Sequence, residues 1–279
     1  MSDETRLFPD REALCRQAAT ELLEVLAAAV KLRGEASAVL TGGGTGTGIL
    51  TAVAELLETA EQPEAAGQAA VTAPDWSRVH LWWGDERFLP VGDPERNEVQ
   101  AHRALLDRLT DPSGPVRMPA ANVHPMPAAT GCAPGEAADA YAAELLSRAR
   151  VRNSETDRDG GGVDRRLPVF DVVLLGVGPD AHVASLFPGR PGPLAVGATV
   201  IPVTDSPKPP PQRLSLTVEA LNTAERVWFV VAGTDKAEAV GEVRRARDHR
   251  STDAARWPAS VVSGRMATTW WLDEAAAGN

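Results

Sequence analysis

Thiols are nearly absent from this chain. Among its 279 residues only Cys15 and Cys132 carry one, far apart and without C-x-x-C spacing. A disulfide framework and a cysteine-ligated zinc site are thereby excluded, and the pair read as small packing residues in a reducing compartment. The five histidines, His80, His102, His124, His182 and His249, are too scattered for a cluster such as H-E-x-x-H, so no metal is expected. No apolar run approaches the ~18 to 20 residues that span a bilayer. The opening Met-Ser-Asp-Glu-Thr-Arg lacks the basic-then-apolar order of a secretory signal, which makes the cytoplasm the expected location. Positive charge is in deficit, with 28 Lys plus Arg against 38 Asp plus Glu. The resulting net charge of −10 disfavours nucleic acid and anionic membrane as partners. No repeat of solenoid length is visible.

What remains, 43% hydrophobic and 24% charged, is the composition of an ordinary soluble globule. Apolar residues at Leu14, Ala18, Leu22, Val25, Leu26, Ala29 and Val30 predict an amphipathic helix, with Gly34 placed to end it. A strand–loop–helix unit then recurs. Ala38–Leu40 runs into a glycine-rich turn, Thr41–Gly48, and a helix through Val53, Leu56 and Leu57. Val79–Trp83 precedes Gly84-Asp85-Glu86-Arg87 and a helix near Asn97–Leu109, Val169–Leu175 precedes Gly176-Val177-Gly178, and Val227–Ala232 precedes Gly233-Thr234-Asp235-Lys236 and a helix. Strands joined through helices predict an α/β fold. It has a mainly parallel central sheet with helices on both faces, doubly wound and Rossmann-like, and forms one domain over residues 1–279. Residues 60–74 and 150–166, the latter too polar to pack, are expected to be flexible surface segments. In such sheets ligands bind beyond the carboxyl ends of the strands, so the four loops are expected to converge on one site.

The first loop places the bare N–H groups of Gly43 and Gly44 and the hydroxyl of Thr45 just before a helix, where partial positive charge favours phosphate. It lacks the lysine of a Walker A loop, and a flexible turn with no ligand is the plain alternative. Arg87 in the second loop offers a planar fork for phosphate or carboxylate, against the reading of Asp85-Glu86-Arg87 as a solvated charge triplet. Residues 176–181 formally match G-x-G-x-x-A, but Pro188, Pro191 and Pro193 cut short any helix and the next acidic residue is Asp205, so nicotinamide binding is disfavoured. The better feature is His182, an imidazole suited to base catalysis near neutral pH, with the Asp180 carboxylate two residues before it. In the fourth loop Lys236 opens a helix that Thr234 or Asp235 is placed to cap, and Arg213 after Pro207-Lys208-Pro209-Pro210-Pro211-Gln212 is a further basic candidate.

Taken together the segments resemble the 6-phosphogluconolactonase family. They comprise a Gly-Gly-x-Thr loop, Trp83-Gly84-Asp85-Glu86-Arg87 with Glu95-Arg96-Asn97, and Gly176-x-Gly178-x-Asp180-x-His182-x-Ala184-Ser185-Leu186-Phe187-Pro188. After these come Pro210-Pro211-x-Arg213, Gly233-x-x-Lys236 and Trp257-Pro258-Ala259-Ser260. The resemblance implies hydrolysis of 6-phospho-D-glucono-1,5-lactone in the oxidative pentose phosphate pathway, with His182 as general base oriented by Asp180. It further implies phosphate binding by Gly43, Gly44, Thr45, Arg87, Arg213 and Lys236, with no cofactor, in a monomer or weak homo-oligomer. Two departures stand out. Ala181 occupies a position where the family usually has Gly, and Gly44-Thr45-Gly46 replaces the end of its usual Gly-Gly-Ser-Thr-Pro. An amino-sugar-phosphate deaminase or isomerase with Asp85 abstracting the proton is the alternative enzyme, and a non-catalytic sugar-phosphate sensor is the alternative outside catalysis.

Overall fold

The structure, a computed structural model, describes residues 3–60, 72–156, 166–250 and 253–278. Helix α1 (Arg11–Arg33) starts where the Asp10 carboxylate accepts from Ala13 N at 2.8 Å and stops at Gly34, whose φ of 80° only glycine adopts freely. Strand β1 (Glu4–Phe8) precedes it, and β2 (Ala36–Leu40) follows. Next come α2 (Gly43–Ala60), β3 (Val79–Trp83) and the short β4 (Asp85–Arg87). Helix α3 (Asn97–Ala101) then passes through one π turn, His102–Leu106, into α4 (Asp107–Thr110). Helix α5 (Pro134–Thr156), β5 (Val172–Leu175), β6 (Val200–Val203), β7 (Arg213–Leu216), α6 (Val218–Leu221), β8 (Arg226–Val231), α7 (Ala237–Asp248), β9 (Ala267–Asp273) and α8 (Glu274–Ala277) complete the order.

Six strands form one parallel sheet in the order β1-β9-β8-β5-β2-β3. Every residue of β2, β3 and β5 is buried, which requires cover on both faces and suits a composition that is apolar except for Ser37 and His80. Successive connections from β2 leave in opposite directions, to β3 on one side and, after β3, back across to β5 on the other. That reversal opens a crevice beyond the ends of β2 and β5, where the loops diverge. At the opposite, amino ends of these strands Asp171, wholly buried, ties β2 to the start of β5: it accepts from Ser37 N at 2.8 Å and pairs with Arg33 at the end of α1.

Several expectations change. The glycine-rich segment is a turn only at Thr41 and Gly42, because α2 already begins at Gly43. Glycine is a poor helix former, but here it permits close packing: a Cβ on Gly48 would lie 2.8 Å from Cys15 Sγ in α1. Residues 85–87 form no free loop; β4 pairs antiparallel with β7, and β7 with β6, in a second, three-stranded sheet. Helix α5 carries the polar segment from 150 as far as Thr156, while 61–71 and 157–165 of the two expected flexible segments lie outside the described residues. Among the described residues no helix is long and apolar enough to cross a membrane.

At the end of the sheet opposite the crevice, a directed hydrogen-bond chain crosses from α5 to β3 and back. An Arg148 guanidinium nitrogen lies 2.7 Å from His80 Nε2 and can only donate, so His80 carries its proton on Nδ1. It donates to His124 Nε2 at 2.9 Å, and His124 Nδ1 donates in turn to Glu144 Oε1 at 2.6 Å. Burial first, then the charges of Arg148 and His124, push His80 down from 6.5 to about 3. Folded protein thus holds His80 neutral where the unfolded chain protonates it. Stability is complete above the unfolded value and declines as pH falls from 6.5 towards 3. By pH 5 the loss should be about 2 kcal/mol. Thermal unfolding from pH 7.5 to 5 checks this; a His80→Gln protein whose midpoint falls as steeply as the parent's would place the slope elsewhere.

Candidate active site

The loops after β2, β3, β5 and β8 enclose a cleft of about 420 Å³ at the carboxyl ends of the strands, within the ~300 to 1,000 Å³ range of small-ligand sites. Gly43, Gly44, Thr45, Arg87, His182, Arg213 and Lys236 all line it. Asp180 stands behind His182 with its Oδ1 2.5 Å from the imidazole Nδ1. An ionised carboxylate can only accept, so Nδ1 carries the proton and Nε2 is the basic nitrogen. Burial by itself would raise the Asp180 pKa. The hydrogen bond from His182 and the charges of His182 and Lys208 outweigh it and hold the carboxyl well below its ordinary range. Lys208 Nζ sits 3.4 Å from both Asp180 Oδ1 and His182 Nδ1. The Phe187 ring, 4.7 Å from the imidazole centroid, supports the other side.

The loop that presents this pair is tightly wound. Gly178 N donates to His182 O and Ala181 N to Gly178 O, each at 2.9 Å. A Cβ on Gly178 would fall 1.9 Å from His182 Nδ1, so the imidazole lies directly against bare backbone. Ala181 has φ of 67°, and Ala184 has 48°. Left-handed backbone costs an L-residue about 1 to 2 kcal/mol, held here by the surrounding hydrogen bonds, including Ala259 N to Ala181 O at 3.2 Å.

On the facing wall the charge triplet is far from solvated. Glu86 is completely buried and accepts from the backbone N–H of Arg87, Asn97 and Glu98 at 2.8, 2.7 and 2.9 Å. Burial pushes it up to about 7, against the pull of those bonds and of Arg96. Arg96, also buried, reaches Met126 O at 2.7 Å, and Asn97 Nδ2 donates to Asp85 O at 2.9 Å. The Glu95-Arg96-Asn97 segment thus clamps β4, and Arg87 extends from that clamp into the cleft with its guanidinium on Glu95 O. Asp85 Oδ2 accepts from Ser185 Oγ at 2.7 Å, which ties β4 to the histidine loop and leaves that oxygen engaged.

The remaining cations differ in how free they are. Arg213 is almost buried, its guanidinium held by the carbonyls of Lys208, Pro209 and Pro210 at 3.0 to 3.3 Å. Lys236 heads α7, but neither Thr234 nor Asp235 caps that helix; Asp235 pairs with Lys236 at 2.9 Å instead. The first-turn N–H groups of α2 have no partner inside the helix and face the same cleft as these cations. Arg11 and Lys208 line the cleft without having been marked as site residues by the sequence, and Asn97 of the Glu95-Arg96-Asn97 segment joins them. Lys208 lay in the proline-rich segment already noted before Arg213, whereas nothing in the pattern around Arg11 distinguishes it from other helix-surface arginines.

Residues 9–271 match the family model described as glucosamine-6-phosphate isomerases/6-phosphogluconolactonase. The 6-phosphogluconolactonase of Streptomyces coelicolor is 45% identical over 282 residues, covering 99% of this chain and 95% of that protein. The protein of the same name from Mycobacterium tuberculosis is 40% identical over 277 residues, covering 99% and 98%. Among solved structures, the 6-phosphogluconolactonase of Thermotoga maritima superposes with a TM-score of 0.71 at 23% identity, covering 98% of this chain and all of that one (100%), a likeness of fold.

Proposed function

The chain belongs to the family of glucosamine-6-phosphate isomerases and 6-phosphogluconolactonases, and from that membership we propose that it hydrolyses 6-phospho-D-glucono-1,5-lactone with His182 as general base. The observation that carries the mechanism is the Asp180–His182 pair facing a cleft lined by several cations. The lactone's phosphate is mostly dianionic at neutral pH, because its second pKa is ~6, and a chain of net charge −10 repels it at long range. Local positive charge from Arg87, Arg213 and Lys236, with the N–H groups of Gly43 and Gly44 and the hydroxyl of Thr45, gathers the phosphate end. The opposite end of the sugar then lies towards His182. His182 Nε2 takes a proton from water as the water oxygen bonds to C1, and the carbonyl electrons move onto oxygen. Collapse of that tetrahedral species breaks the bond from C1 to the ring oxygen, which receives the proton back from His182. Asp180 stays ionised throughout and stabilises the transient imidazolium.

The assay is hydrolysis of freshly generated phosphorylated lactone, corrected for spontaneous opening, alongside ammonia release from glucosamine 6-phosphate. Hydrolysis without ammonia is expected, and the reverse would move the assignment to the deaminase branch. Arg87→Ala should raise KM for the phosphorylated lactone about 10- to 30-fold and change that for unphosphorylated glucono-1,5-lactone much less. Equal losses on both substrates would remove Arg87 from phosphate recognition.

A further inference from the structure

The cations lining the cleft are Arg11, Arg87, Lys208, Arg213 and Lys236. Four of them are already engaged by protein. Arg87 is on the Glu95 carbonyl, Lys208 is 3.4 Å from the Asp180 carboxylate, Arg213 is on three carbonyls and Lys236 is on Asp235. The Arg11 guanidinium has no hydrogen-bond or ion-pair partner among the described residues. Its acidic neighbours in sequence are committed elsewhere, Asp10 to capping α1 through Ala13 N and Glu12 to Arg16.

Its position is also specific. Arg11 is the first residue of α1, and its Nη1 lies over Gly44 in the first turn of α2, where a Cβ on Gly44 would come within 3.1 Å. The guanidinium thus fills the space that a side chain at 44 would take. It sits beside the unpaired N–H groups at the start of α2, a helix of 18 residues. A fork of donors with no partner, held beside those N–H groups and open to the cleft, is arranged to meet an oxyanion that arrives from solvent.

We propose that Arg11 is a specificity-determining residue that pairs with the substrate's phosphate over Gly44 and so favours phosphorylated lactone over its unphosphorylated counterpart. This rests on the lactonase reading above and adds to it a ligand from α1, beside Gly44. Because the other cations each have a protein partner, Arg11 brings the guanidinium whose donors are least occupied before substrate arrives.

The test compares the parent protein with Arg11→Gln, Arg11→Lys and, as a control at the far end of the same helix, Lys31→Gln, which removes an equal charge away from the cleft. Steady-state kinetics on both lactones are read together with calorimetric titration by inorganic phosphate. Arg11→Gln should raise KM for the phosphorylated lactone about 10-fold, with kcat changed far less, and weaken inorganic phosphate by a similar factor. Arg11→Lys should recover part of the loss, and the effect should shrink as ionic strength rises. Lys31→Gln should follow the parent. Arg11→Gln indistinguishable from Lys31→Gln in phosphate titration would overturn the proposal, as would equal losses on the two lactones. If the parent hydrolyses neither lactone, the lactonase reading fails by itself, and the phosphate titration still decides whether Arg11 holds the anion.

Discussion

Replacing His182 by alanine is expected to lower kcat by about 10²- to 10⁴-fold, the usual worth of a positioned general base, with KM for the phosphorylated lactone changed only a few-fold. The split follows from geometry. His182 sits between Asp180 and Phe187 on the loop after β5, whereas the cations proposed to hold phosphate come from other elements. Removing the imidazole leaves those contacts in place. Its absence also opens room beside Gly178 without breaking any backbone hydrogen bond, since the loop is closed by Gly178 N on the carbonyl of residue 182. Single-turnover and steady-state rates, each corrected for spontaneous lactone opening, measure the effect. Turnover within a few-fold of the parent would take His182 out of the mechanism.

The second large effect is expected from a change that adds one methyl group. In Gly178→Ala the new Cβ would meet His182 Nδ1 at 1.9 Å, Cε1 at 2.0 Å and Asp180 Oδ1 at 2.5 Å. All three are side-chain atoms, so imidazole and carboxylate are pushed aside while the backbone remains. Misplacing a catalytic group by about 1 Å costs on the order of 10²-fold in rate, and here both members of the pair are displaced at once. Gly178→Ala should therefore lose 10²-fold or more in kcat, while its thermal midpoint stays close to the parent's and phosphate titration is unchanged. Full activity in this variant would show that the imidazole does not work from its present place. A collapse in thermal midpoint would instead locate the role of Gly178 in folding.

Much of the sheet could be read from pattern because the buried strands are largely apolar runs followed within two residues by Gly. The runs at Ala38–Leu40, Val79–Trp83, Val169–Leu175 and Val227–Ala232 correspond to β2, β3, β5 and β8. Strand β9 went unread although almost wholly buried, its apolar run broken by Thr268 and Thr269, and the other strands without a signal fail that description for identifiable reasons. Strand β1 is half exposed at the sheet edge, so its hydrophobicity is weak. β4, β6 and β7 are three or four residues long, too short for periodicity to register, and Pro202 inside β6 argues against a strand unless the strand lies at an edge, as it does. At the site, the sequence exposed residues whose chemistry is tied to a local motif, such as Asp180, His182 and Lys236. It could not expose Arg11 or Lys208, whose relevance comes only from where α1 and the proline-rich loop deliver them. The buried state of Glu86 was likewise invisible, because three backbone donors from two separate segments supply what solvent otherwise would.

The edge strand β1 lies parallel to β9, and Asp3 Oδ2 accepts from Trp270 Nε1 across 267 positions of sequence. Because β9 follows every other described strand in the chain, β8 keeps an open edge and β1 has no sheet partner until β9 has been made. During that interval the open row of β8 backbone groups is free to pair with a strand of another chain.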